Sequence, residues 1–201
     1  MELPLPDHLS FEEVKRSIDP QKDIDSIHPY TSGQLVSGGA TSRSYDQLKN
    51  DPQVLLPATP YAVMELLAHK DIKLEEKSIV VVGAGAVGLP LALLLLRAGY
   101  SSVDICEYNC SDLSAHTNRA DVLCVAVGRR NFITPKMVSS GAVVVDVGIN
   151  STESGITGDV DYEAVKNKAE LITPVPGGVG PVTTSLIMKN TVQVAEAISQ
   201  Q

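Results

Sequence analysis

The hydropathy pattern of the chain changes character near residue 78. Before it, apolar positions recur at helical spacing in two places. Phe11, Val14 and Ile18 follow Ser10, with Glu12 and Glu13 in the first turn, which reads as a capped helix. Val63, Leu66 and Leu67 share a face of a second helix, with Thr59 as its cap and Pro60 at its first position. An Asp-, Ser- and Gly-rich stretch between them, to about residue 56, reads as loop. From residue 78 the grammar is different. Short β-branched or apolar runs at 78–82, 102–106, 121–126 and 142–147 alternate with helical or connecting segments. That alternation predicts an α/β fold, a mostly parallel sheet covered by helices. Asp159 and Asp161 precede a short helix over 162–169, and a last strand lies near 171–173. A final helix over about 182–199 puts Ile187, Val194 and Ile198 on its apolar side.

Length and charge narrow the function classes. The 201 residues suffice for one substantial domain plus part of another. A net charge of −8 argues against nucleic acid or an anionic membrane as the main partner. Residues 78–96 carry no charge, but Gly83, Gly85, Gly88 and Pro90 interrupt them, so strand, turn and helix fit better than a membrane span. The odd set of three cysteines, Cys106, Cys110 and Cys124, fits a reducing compartment, and a cytoplasmic setting is expected. An organelle stays open if residues precede Met1. Cys106 and Cys110 form a C-x3-C with no second ligand pair, so no metal is expected. The four histidines show no paired spacing.

Two segments carry chemistry. Gly83-Ala84-Gly85-Ala86-Val87-Gly88 is a G-x-G-x-x-G directly after an apolar strand and before a helix. In a Rossmann-like, doubly wound sheet the first glycine allows the tight turn, the second admits a pyrophosphate, and the third lets helix meet strand. The helix N-terminus adds free N–H groups and the positive end of its dipole. Glu107 ends the next strand, 19 residues beyond Gly88, where an acid accepts from ribose hydroxyls and repels a 2′-phosphate. The nearest base in sequence, Arg97, lies at the far end of the helix. NAD is therefore expected, with NADP the lesser candidate. The second segment is Ile172–Thr184, ITPVPGGVGPVTT. Three prolines and three glycines within 174–181 read as a loop of fixed shape, outside any helix or strand, feeding a helix N-terminus.

These pieces, in this order, resemble the methylenetetrahydrofolate dehydrogenase/methenyltetrahydrofolate cyclohydrolase family. Glu2-Leu3-Pro4-Leu5-Pro6 is similar to the family's Q-L-P-L-P, Lys22–Ser26 to K-D-V-D-G, and Pro57–Pro60 to P-C-T-P. Asp146–Asn150, Gly158–Asp161 and the T-P-V-P-G-G-V-G-P loop match almost letter for letter. The resemblance implies a partial N-terminal α/β folate domain over 1–73, a Rossmann-like NAD(P) domain over 74–180, and a C-terminal helix, 181–201, returning to the first. It implies hydride transfer from methylenetetrahydrofolate to the nicotinamide ring in one-carbon metabolism, followed by hydrolysis of the methenyl product. Asp25 would accept from the pterin's N–H edge, as a carboxylate can accept two parallel bonds. Asp25 and Glu2 are the catalytic candidates. Leu3, Asp25, Pro176, Gly177, Gly178, Val179 and Gly180 are the substrate-binding ones. Gly83, Ala84, Gly85, Val87, Gly88 and Glu107 are joined on the cofactor side by Val127, Gly128, Ile149 and Thr183. A homodimer is also implied.

The departures from the family pattern leave three readings open. The family's Y-x-x-x-K lysine, central to the cyclohydrolase step, lies upstream of Q-L-P-L-P and is not among these residues. The opening glutamine of that motif is Glu2, and its usual G-[RA]-S-x-x-V-G loop is one residue shorter. The chain is then a dehydrogenase without the cyclohydrolase step, a catalytically impaired nucleotide-binding or interaction protein, or part of a bifunctional enzyme.

Overall fold

The computed structural model describes residues 5–6, 8–37, 44–69, 77–100, 102–153 and 155–199. Its centre is a five-stranded parallel sheet. The strands are β1 (Ile79–Val82), β2 (Val103–Cys106), β3 (Val122–Val125), β4 (Val143–Asp146) and, with β5 and β6 introduced below, β7 (Leu171–Ile172), in the order β2-β1-β3-β4-β7. Alternate residues of a strand point to opposite faces, and here both faces are buried. Ile79, Val81, Val122, Cys124, Val143 and Val145 enter one core; Val80, Val82, Leu123, Val125 and Val144 enter the other. Purely apolar β1 is therefore what a central strand of a doubly wound sheet demands.

The first core is the larger. It packs α4 (Ala58–His69), α5 (Gly88–Arg97) and α8 (Val179–Ser199) on the sheet. In α5, Leu91, Leu94 and Leu95 are fully buried, each contributing roughly 2 kcal/mol of apolar burial. Leu35, Leu48 and Leu56, from before the sheet, belong to the same cluster. The second core is covered by α6 (Leu113–Thr117), α7 (Tyr162–Val165) and the 3-10 turn Pro135–Met137.

Several sequence expectations are corrected. The stretch to residue 56 holds a 3-10 turn, Pro20–Lys22, and two short helices, α2 (Pro29–Gly33) and α3 (Tyr45–Lys49). These are too short to show a hydropathy period and are set by caps: Asp19, the His28 ring, and a full capping box at Ser44 and Gln47. The first helix, α1 (Phe11–Ser17), has its Ser10 cap but buries no residue. Helix α4 begins at Ala58, so Thr59 lies inside it rather than capping it. A two-stranded antiparallel hairpin, β5 (Asn150–Thr152) with β6 (Gly155–Thr157), was not anticipated. Helix α8 starts at Val179, taking Gly180 and Pro181 into its first turn, where a missing N–H costs no helical bond. Its buried side carries Leu186 and Asn190, while Ile198 is exposed.

Candidate functional site

The strand order places a topological switch between β1 and β3, because the chain leaves β1 for β2 on one side and returns to β3 on the other. Ligand crevices form at such points, outside the carboxyl ends of the strands. Gly83 stands there with φ 101° and bonds back to Cys106 O at 2.8 Å. A side chain on Gly83 would strike Ala126 O, and one on Gly88 would strike Gly83 O. Gly85 differs: it is exposed, and a Cβ built on it meets nothing within 4 Å. The first and third glycines are thus required by the protein's own packing, whereas the second faces free space. Ala84 and Val87 are half-buried around it, and the N-terminus of α5 follows with no side-chain cap. The cradle fits a dinucleotide pyrophosphate.

The opposite lip of the crevice is built by two interlocked motifs, Asp146-Val147-Gly148 and Gly158-Asp159-Val160. The Asp146 carboxylate lies against Gly158, and the Asp159 carboxylate lies against Gly148; a Cβ at either glycine would collide with the facing carboxylate. Asp159 Oδ2 accepts from Val127 N at 2.7 Å and Gly128 N at 2.8 Å. Its Oδ1 accepts from Arg129 N and Asn150 Nδ2, both at 2.8 Å. One buried carboxylate therefore orders the turn after β3, where Gly128 takes φ 65°. Asp146 in turn accepts from the backbone of Gly148, Asp159 and Val160. Burial pushes the Asp146 pKa up to about 6, against the pull of those donors. Val127, Gly128 and the exposed Ile149 stand on this lip. The sequence puts Asp159 ahead of a helix and within a family motif, but nothing local reveals its partners.

The proline- and glycine-rich loop leaves β7 beside β4. Thr173 ties the two, its N–H donating to Val144 O and its Oγ1 accepting from Asp146 N at 2.9 Å. The Val175–Pro176 peptide is cis, Gly177 has φ 105°, and Gly178 turns so closely that a side chain would strike Pro174 O. Pro176, Gly177 and Gly180 are exposed and Val179 is buried. Thr183 Oγ1 is buried and, among the described residues, has no hydrogen-bond partner.

Asp25 lies beside a more distant stretch of α8. Buried Asn190 donates to Ile24 O at 2.8 Å and Leu56 O at 3.1 Å, which seats the Asp25 segment against the middle of that helix. Val179 and Asn190 are separated by about 16 Å along the axis at 1.5 Å per residue. Burial raises the Asp25 pKa, while the Ala58 N–H at the start of α4 donates to its carboxylate and lowers it. Neighbouring Ser26 has φ 54° and a buried Oγ with no hydrogen-bond partner among the described residues, at the position of the family motif's glycine. Glu2 and Leu3 lie outside the described residues.

Glu107 is exposed beyond β2. Arg97 is not near it: the guanidinium is buried and donates to Leu35 O at 2.8 Å and 2.6 Å. The base that sequence distance concealed is Arg129, whose guanidinium sits 3.8 Å over the Tyr108 ring, next to Glu107 in the chain.

Fold and site define a doubly wound α/β protein with a nucleotide crevice at its switch point. Residues 57–199 match the family described as tetrahydrofolate dehydrogenase/cyclohydrolase, NAD(P)-binding domain. The chain belongs to that family. It is 47% identical over 195 residues to the bifunctional protein FolD of Sulfurihydrogenibium sp. (strain YO3AOP1), covering 96% of this chain and 64% of that protein. Against the Bacillus subtilis (strain 168) protein of the same name it is 43% identical, over 98% and 65%. The solved Campylobacter jejuni methylenetetrahydrofolate dehydrogenase/cyclohydrolase superposes with a TM-score of 0.83 at 43% identity, over 98% of this chain and 66% of that one. The Trypanosoma brucei enzyme, solved with NADP and an inhibitor, gives 0.84 at 32%, over 100% and 67%. The chain thus spans a little under two thirds of the curated relatives' length. No helix among the described residues is long and apolar enough to cross a membrane.

Proposed function

We propose that the chain binds a nicotinamide dinucleotide at Gly83–Gly88 and a tetrahydrofolate derivative, and oxidises 5,10-methylenetetrahydrofolate to the methenyl form. The observation that carries the proposal is the open Gly85 beside a turn ordered by Asp159, in a chain of the tetrahydrofolate dehydrogenase/cyclohydrolase family. When bound, the dinucleotide supplies the hydride acceptor. The chain's own residues position it: Gly83, Ala84, Gly85, Val87 and Gly88 receive the pyrophosphate, Val127, Gly128, Ile149 and Thr183 flank the crevice, and Glu107 meets the ribose. Asp25 holds the pterin edge, with Pro176–Gly180 lining the substrate side; Glu2 remains the second catalytic candidate and Leu3 a further substrate-binding one, both outside the described residues. The cyclohydrolase step draws on the family's upstream lysine, which is not among these 201 residues. The division at 73/74 and 180/181, a homodimer and a cytoplasmic setting belong to the same proposal.

For the cofactor we propose NADP. The Trypanosoma brucei relative was solved with it. The stacked Arg129 supplies a cation for a 2′-phosphate that the expectation of NAD did not include. Glu107 opposes this choice. Tighter NADP than NAD binding, with the preference lost in Arg129→Ala, supports the assignment; tighter NAD binding returns it to Glu107. The activity itself is tested by reduced-nicotinamide absorbance with methylenetetrahydrofolate and NADP or NAD. No gain with either overturns the dehydrogenase reading. A second reading, binding without turnover, draws on Ser26, which adjoins Asp25 with a left-handed backbone and a buried hydroxyl that has no partner among the described residues. Dinucleotide binding without absorbance gain would favour it.

A further inference from the structure

We propose that Cys106, Cys110 and His116 form a binding site for one thiophilic metal ion of the zinc class. The C-x3-C alone gave no reason to expect a metal; the fold supplies the third ligand. Cys106 ends β2, 5% exposed. A turn closed by Cys110 N to Glu107 O at 3.0 Å brings Cys110 back beside it. Asp112 caps α6 through Ala115 N at 3.3 Å, and that helix carries half-buried His116 to the pair. One donor atom from each of the three lies within 4.8 Å of the others.

Zinc bonds of about 2.3 Å to sulfur and about 2.0 Å to nitrogen set tetrahedral ligand separations of roughly 3.5–3.8 Å. The site therefore needs about 1 Å of closure, across a turn whose residues Glu107, Tyr108 and Asn109 are all exposed. Two sulfurs and an imidazole select zinc or copper(I) over magnesium or calcium. Three protein ligands leave a fourth position for water or an added ligand. The Asp104 carboxylate lies 3.5 Å from His116 Nδ1, the type of outer partner that orients a ligating imidazole. Arg119 lies 3.8 Å from the same carboxylate. Burial, with Cys110 and Asp104 adding to it, raises the Cys106 pKa, so the metal must displace a proton from that thiol. Cys124 faces the opposite core and takes no part.

The test is a cobalt(II) titration of the whole reduced chain, without dinucleotide, in a non-chelating reductant. Tetrahedral d–d bands and thiolate-to-cobalt charge transfer, saturating at one ion per chain and displaced by zinc, are the expected result. Cys110→Ser and His116→Asn should each weaken binding about tenfold or more. Zinc should also protect Cys110 from a thiol reagent in the unaltered chain, a readout that needs no variant. Absent bands, or bands and thiol protection indifferent to Cys110 and His116, overturn the proposal. Because no dinucleotide is present, failure of the cofactor reading leaves this result untouched.

Discussion

Replacing Asp159 by asparagine probes the joint that shapes the crevice. Four N–H donors converge on the native carboxylate: Val127 and Gly128 on Oδ2, Arg129 and Asn150 on Oδ1. An asparagine keeps one oxygen, best spent on Val127 and Gly128. Its amide then faces Arg129 N–H and Asn150. Asn150 can turn its own amide over and offer a carbonyl, but the backbone N–H of Arg129 cannot, and is left against another donor. Losing one bond to a charged acceptor outright, and reducing the others to neutral ones, costs about 2–4 kcal/mol in a buried site. With a urea m-value near 2 kcal/mol/M, the unfolding midpoint should fall by about 1–2 M. Asp161→Asn is the control. It removes the same charge two positions away, but half-buried Asp161 caps α7 through one long bond, and asparagine caps as well as aspartate. The pair should differ clearly. A midpoint for Asp159→Asn within about 0.3 M of both native and control would refute the reasoning, since the carboxylate would then be no organiser of the turn after β3.

Two further outcomes follow from the same geometry. Gly85→Ala should keep or raise stability, by up to about 1 kcal/mol, because Gly85 has no positive φ and its Cβ meets nothing. It should still weaken dinucleotide binding about tenfold, by isothermal titration, since the methyl stands where the pyrophosphate must approach; unchanged affinity would remove Gly85 from the cradle. Asp146 should give a pH signature. A carboxyl whose folded pKa is raised from 3.8 to about 6 holds its proton more firmly when folded, so its contribution is full below pH 3.8 and lost as pH rises through 6. The stability difference between native and Asp146→Asn should shift by up to about 3 kcal/mol across that window, native losing ground as pH rises. A difference that stays flat, or moves the other way, would contradict the assigned direction.

The sequence alone determined the parallel sheet, the glycine turn and the family motifs, because each is a local pattern. Apolar runs of strand length, a G-x-G-x-x-G between strand and helix, and a proline–glycine loop are legible without knowing what they touch. What it could not determine was partnership. Asp146 and Asp159 are separated by a hairpin, and their reciprocal fit against Gly158 and Gly148 exists only once β4 and that hairpin fold together. Arg97, the nearest base to Glu107 in sequence, is drawn into the first core by the Leu35 carbonyl. Arg129, farther away in sequence, reaches the Tyr108 ring from the turn after β3. The start of α8 was hidden because proline and glycine, which break a helix interior, are tolerated in a first turn whose N–H groups have no helical partner anyway. His116 joined two cysteines only when α6 folded back beside β2. Periodicity and turn chemistry are carried by neighbours in the chain, whereas the convergence of donors, charges and thiols is carried by neighbours in space.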